Sequence, residues 1–114
     1  MRPLEGRRVQ VGRLEIERRS DDSAHVIALA GELDANGCPT VESELGEAEN
    51  NGGQPIVIDM SLLTFIDSTG ISLLVAALRR SKDGSNRLRF VPSGSEDVQR
   101  LLELCGLDSR LPFV

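Results

Sequence analysis

The chain reads as a single α/β domain with a mixed sheet of four to five strands and packed helices, in the order β-β-α-β-α-β-α. Three observations carry that reading. Residues 56–58, Ile-Val-Ile, form a β-branched run bounded by Pro55 and Asp59, the signature of a central strand buried on both faces. Residues 68–82 set Ile71, Leu74, Val75 and Leu78 on one helical stripe. Strand and helix patterns then alternate to the end, which implies parallel strands joined by right-handed β-α-β crossovers.

Each element has a local reason. Residues 1–9 are polar and unpatterned, so a flexible arm is expected there, with the domain proper over 10–114. Over 12–18, Leu14 and Ile16 alternate with Arg13, Glu15 and Glu17, a half-buried strand. Ser20-Asp21-Asp22-Ser23 supplies turn chemistry, and 25–30 reads as a second, antiparallel strand. Pro39 suits the first turn of a helix that runs to about 49 with Cys38, Val41, Leu45 and Ala48 near one face. Asn50-Asn51-Gly52-Gly53 ends it. After the 56–58 strand a short loop is expected to cross the sheet top to the 68–82 helix. Arg79, Arg80 and Lys82 complement the C-terminal dipole of that helix, and Gly84 stops it. Leu88 and Phe90 alternate with Arg87 and Arg89 in a strand closed by Pro92. Ser95 caps a last helix carrying Val98, Leu101, Leu102 and Cys105, with Gly106 after it. A short strand at 111–114 is a further possibility.

Bulk properties narrow the function classes. A length of 114 residues supports one modest core. A net charge of −5 with no Trp or Tyr argues against nucleic-acid binding, which needs cations for phosphates and aromatics for bases. No apolar run approaches a membrane span, and the basic start lacks the apolar stretch of a signal peptide, so a cytoplasmic address and no membrane partner are expected. Cys38 and Cys105 lack CxxC spacing, and with the single His25 they make no metal cluster. Two free thiols are expected, Cys38 the more accessible and acidic, Cys105 buried on its helix stripe. Neither a metal nor a cofactor is expected.

Chemistry concentrates where the central strand gives way to a helix, at Asp67-Ser68-Thr69-Gly70. Ligands and partners of open α/β sheets meet the carboxyl ends of strands. Three cap-competent side chains stand at one helix N-terminus, whose free N–H groups and dipole favour negative charge. Two accounts stay open: ordinary helix capping, or a hydroxyl placed where a phosphate is tolerated. Gly31-Glu32-Leu33-Asp34 follows the second strand and is either a polar turn or a partner surface at the same sheet edge.

These segments give the chain a family likeness. Gly-Glu-Leu-Asp at 31–34, the lead-in Leu63-Thr64-Phe65-Ile66 before Asp67-Ser68-Thr69-Gly70-Ile71, and Leu102-x-x-Cys105-Gly106-Leu107 together resemble the STAS family, in particular bacterial anti-anti-sigma factors. The likeness covers roughly 10–114. It implies phosphorylation of Ser68, with Thr69 as second choice, by an anti-sigma serine kinase that spends ATP. The unphosphorylated form would bind that kinase and free a sigma factor, and a serine phosphatase would restore it. Asp34, Asp67, Ser68, Thr69 and Gly70 would form the kinase-facing surface. The family usually carries a further C-terminal helix; none is expected before Val114, so part of the core is expected to be open or covered by a partner.

Rival readings fare worse on the residues. Ser68 lacks a G-x-S-x-G elbow and His25 lacks a carboxylate orienter, so a hydrolase is not expected. Asp59 ends a buried strand as a receiver's phospho-acceptor would, but Lys82, the sole lysine, ends a helix rather than a late strand. The alternative within the same fold is a non-enzymatic docking subunit of a larger scaffold or lipid-transport complex.

Overall fold

The computed structural model describes residues 5–114. Five strands and three helices follow in order: β1 (Glu5–Val11), β2 (Leu14–Ser20), β3 (His25–Leu33), α1 (Cys38–Glu49), β4 (Ile56–Ile66), α2 (Ser68–Asp83), β5 (Leu88–Val91) and α3 (Glu96–Leu104). The sheet order is sequential, with β1-β2-β3 antiparallel and β3-β4-β5 parallel. Both crossovers step the same way along the sheet. Right-handed connection therefore puts α1 and α2 on one face.

That face holds the core. Leu14 and Ile16 of β2, Ile27, Leu29 and Leu33 of β3, Ile58 and Met60 of β4, and Phe90 of β5 are buried beneath Val41 and Leu45 of α1 and Leu74 and Leu78 of α2. The opposite face presents Glu15, Glu17, Val26, Ala28, Val57 and Arg89, all half-exposed. The central strand is thus not buried on both faces as expected: α1 and α2 cover one side, and Val57 and Asp59 on the other stay half-exposed.

Two expectations about the chain's course are corrected. The flexible arm expected over 1–9 is, from Glu5 onward, strand β1; residues 1–4 lie outside the described residues. Val9 and Val11 pair with Ile16 and Leu14, so their apolar side chains share the helix-covered face. Gly12, at φ +58, opens the two-residue turn between the strands, the position that favours glycine in such hairpins. Arg7 ties the edge strand down: its guanidinium donates to Glu44 at 2.6 Å and Glu47 at 2.7 Å, and Arg18 of β2 joins both carboxylates. Glu44 is itself buried, and it pairs with two guanidinium groups, those of Arg7 and Arg18.

The second correction is β4, which continues to Ile66 where a loop was expected after residue 58. Its buried residues step by two from Ile56 through Ile58 to Met60, then by three to Leu63 and Ile66. The register with β3 shifts twice, between Ala28 and Ala30 and between Gly31 and Glu32, so β4 carries two bulged residues. A bulge breaks period-two alternation and re-aims the neighbouring groups. Here the redirected carbonyls anchor the entry to α3: Ser61 O accepts from Gly94 N at 3.2 Å, and Leu63 O accepts from the buried Ser93 hydroxyl at 2.7 Å. Asp59 lies inside the strand and accepts from Ser61 N at 2.9 Å. The 111–114 segment makes a single bridge, Phe113 to Phe90, and among the described residues no helix follows α3.

Candidate functional site

β4 ends at Ile66 and α2 begins at Ser68, so Asp67 alone turns the chain from sheet to helix. Its backbone is extended, and its Oδ1 accepts from Thr69 N and Gly70 N, both at 3.0 Å. The Asp67 carbonyl accepts from Ile71 N at 2.9 Å. Capping therefore falls to Asp67, an arrangement worth about 1 kcal/mol. Ser68 is exposed, and among the described residues its hydroxyl takes no hydrogen-bond partner; only its carbonyl is engaged, by Ser72 Oγ at 2.9 Å. Thr69 is likewise exposed.

Leu33 joins this corner to the one at Asp34. Leu33 and Ile66 are register partners at the ends of β3 and β4, and Asp67 N donates to Leu33 O at 3.3 Å. Residues 34 and 67 thus leave the sheet side by side. Asp34 Oδ1 accepts from Asn36 N at 3.0 Å, and its carbonyl accepts from Gly37 N and Cys38 N at 3.1 Å, building the turn that starts α1. Gly70 closes the corner. A Cβ there would lie 2.6 Å from Ile66 Cγ1 and 3.0 Å from Leu33 O. The five residues singled out in the sequence, Asp34, Asp67, Ser68, Thr69 and Gly70, fall at one sheet edge.

The cysteines exchange their expected places. Cys38, at the start of α1, is buried, and Cys105 is exposed. Burial, then the charges of Asp67, Asp34 and Glu42, push the Cys38 thiol up. The helix start that should have acidified it is outweighed by desolvation and by the two carboxylates of the site. Cys105 caps α3 past the part of the helix that faces the core, where only Val98 and Leu102 are buried. With a thiol-specific reagent at pH 8, one equivalent is expected to label Cys105 quickly in native protein, and Cys38 only after unfolding. Equal native rates would contradict this placement.

His25 stands at the far end of the sheet, paired with Ile56 where β4 begins, whereas Ser68 follows the end of β4. Its ring is held by Ser20 Oγ and Asn51 O, each at 2.8 Å, a satisfied structural histidine. The site contains no Ser–His pair. Nor does any helix among the described residues have the length and apolarity to cross a membrane.

One feature beside the site escaped the sequence reading. An apolar groove of about 380 Å³ lies between the end of β4 and α3, lined chiefly by Phe65, Ile66, Val98, Leu101 and Leu104. Phe65 is hidden from pattern reading because it follows the second bulge. Leu101, on the stripe the sequence predicts as buried in the last helix, is only half-buried.

Comparison with known proteins follows the same lines. A family model described as "Mlab, STAS domain" matches residues 16–113. An anti-sigma-B factor antagonist of Staphylococcus aureus (strain NCTC 8325 / PS 47) is 29% identical over 94 residues, covering 82% of this chain and 86% of the relative. That of Staphylococcus epidermidis is 28% identical over the same length. Among solved structures, an anti-sigma factor antagonist from Mycobacterium paratuberculosis superposes with a TM-score of 0.74 at 24% identity, covering 88% of this chain and 84% of that one. The anti-sigma factor antagonist SpoIIAA in its unphosphorylated form superposes with a TM-score of 0.65 at 20% identity, covering 96% and 88%. At those identities the two superpositions speak for the fold.

Proposed function

Because the chain belongs to the STAS domain family, with every described element from β3 to α3 inside the matched region, we propose that it is an anti-sigma factor antagonist switched at Ser68. Unphosphorylated, it binds an anti-sigma serine kinase in the cytoplasm and thereby frees a sigma factor. The kinase transfers the γ-phosphoryl group of ATP to the Ser68 hydroxyl, leaving ADP, and the bound kinase is released. A serine phosphatase hydrolyses the phosphoserine and restores the binding form. Asp34, Asp67 and Thr69 stand near the acceptor on the kinase-facing surface, with the buried Gly70 closing the corner beneath them, and Thr69 is the second-choice acceptor.

One observation carries this reading. Asp67 takes the capping role, so the Ser68 hydroxyl is exposed at the first helical position without structural duty. A residue kept only to cap would be engaged with the backbone. The names of the similar proteins point the same way.

The test is intact-mass spectrometry after incubation with purified candidate anti-sigma kinases and ATP. Wild-type protein is expected to gain one phosphate and Ser68→Ala none. Ser68→Ala should stay within about 0.5 kcal/mol of wild type, as an exposed position outside the cap, and should bind the kinase constitutively. Full phosphate uptake by Ser68→Ala would move the acceptor to Thr69. The alternative role, a docking subunit of a scaffold or lipid-transport complex, draws support from the exposed apolar groove beside α3. A docking subunit would bind its partner equally well with Ser or Asp at position 68.

A further inference from the structure

We propose that the groove between β4 and α3 is the charge-independent half of the kinase interface and takes an apolar side chain of the kinase; this rests on the function proposed above. Phe65 and Leu104 are 45% and 78% exposed. Leu62, 68% exposed, pairs with Ala30 as Phe65 pairs with Glu32, so the two side chains share the outer sheet face. Three of the exposed large hydrophobic residues thus lie on or beside one feature instead of being scattered, the arrangement that marks an interaction surface.

Geometry selects the occupant. Phe65 and Ile66 run directly into Asp67 and Ser68, and three residues of chain span at most about 11 Å. A kinase that phosphorylates Ser68 must seat its active site over that residue. A standard interface covers about 800 Å² per partner, a disc roughly 16 Å in radius. Such a footprint centred on Ser68 reaches the groove. The groove admits one or two side chains of leucine or phenylalanine size, and its rim carries one charge of each sign, Asp97 and Arg100. Its contribution is therefore insensitive to the charge added at Ser68. Binding divides into a constant apolar part and a switched polar part.

The experiment uses the full chain and the kinase that phosphorylates Ser68 in the assay above, loaded with ADP, in calorimetric titrations. Leu104→Ser and Phe65→Ser are expected to weaken binding at least tenfold, while Val114→Ser, at 72% nearly as exposed as Leu104 but outside the groove, leaves it unchanged. The fold-penalty from phosphate at Ser68 should be the same in wild type and in Leu104→Ser. Thermal melts verify that the variants fold; Leu104 is exposed enough to be replaced without loss of core. If the kinase binds wild type and both groove variants alike, the inference falls and the Ser68 function stands. If no anti-sigma kinase binds wild type, both fall. A wild-type dimer on sedimentation that Leu104→Ser converts to monomer, with kinase affinity unchanged, would assign the groove to a second copy of the chain and overturn the proposal.

Discussion

Phosphate on Ser68 is expected to weaken kinase binding more than a hundredfold while leaving the fold in place. The added group brings about −1.5 to −2 charges to a chain already at −5. A bare helix N-terminus would absorb much of that charge. Here two of its donors, Thr69 N and Gly70 N, are already held by Asp67 Oδ1 at 3.0 Å. Asp67 and Asp34 also make the local field negative, as their effect on the Cys38 thiol shows. The phosphate therefore meets carboxylates and stays at the surface, where docking would have to desolvate it unpaired. A penalty of about 3 kcal/mol, modest for such a contact, gives the hundredfold loss. Ser68→Asp should reproduce only part of it, with less charge and fewer acceptor oxygens. Calorimetry on both forms reads the affinity, and amide shifts should change near 67–72 alone. Shifts spread across the sheet would mean a conformational switch, and equal affinities would remove Ser68 from the switch.

Gly31→Ala is expected to destabilise the domain by about 3 kcal/mol or more. Gly31 has φ +103, a backbone strained for any L side chain, and a Cβ there would lie 2.2 Å from the Arg13 carbonyl oxygen. That oxygen accepts from Glu32 N at 2.9 Å, so it cannot withdraw without breaking the β2–β3 contact. Strain of this kind alone costs about 1–3 kcal/mol, and the clash adds to it. Gly46→Ala makes the contrast. It lies inside α1, its added Cβ meets nothing within 4 Å, and replacing a helical glycine by alanine stabilises by roughly 0.5–1 kcal/mol. Urea unfolding of both variants gives the two signs directly. A Gly31→Ala variant as stable as wild type would show that the contact between Gly31 and the Arg13 carbonyl relaxes freely, and the glycine of the Gly-Glu-Leu-Asp segment would lose its structural reason.

Local chemistry was enough for much of the molecule. The α2 helix, its basic C-terminal turn and the Ser95 cap of α3 were legible because helical spacing and caps are properties of adjacent residues. So were the parallel crossovers, and the five residues expected to share one sheet edge do so. What pattern reading lost depends on contacts distant in sequence. β1 looked like a polar arm because an edge strand needs only Val9 and Val11 inward, and its anchor is Glu44 on another element. β4 looked like a loop beyond residue 58 because bulges replace a period of two with a period of three, and a bulge exists only relative to a partner strand. The cysteines were inverted for the same reason. A helix stripe says which side chains align, but the layer packed against them decides which are buried, and α3 fully buries only Val98 and Leu102 while Cys38 lies under the corner of Asp34 and Asp67. Most telling is Ser68. Three neighbouring side chains could each have capped α2, and their order alone could not choose among them. The extended backbone of Asp67, held to Leu33 of β3, aims its carboxylate at the helix N–H groups and leaves the serine hydroxyl to the solvent.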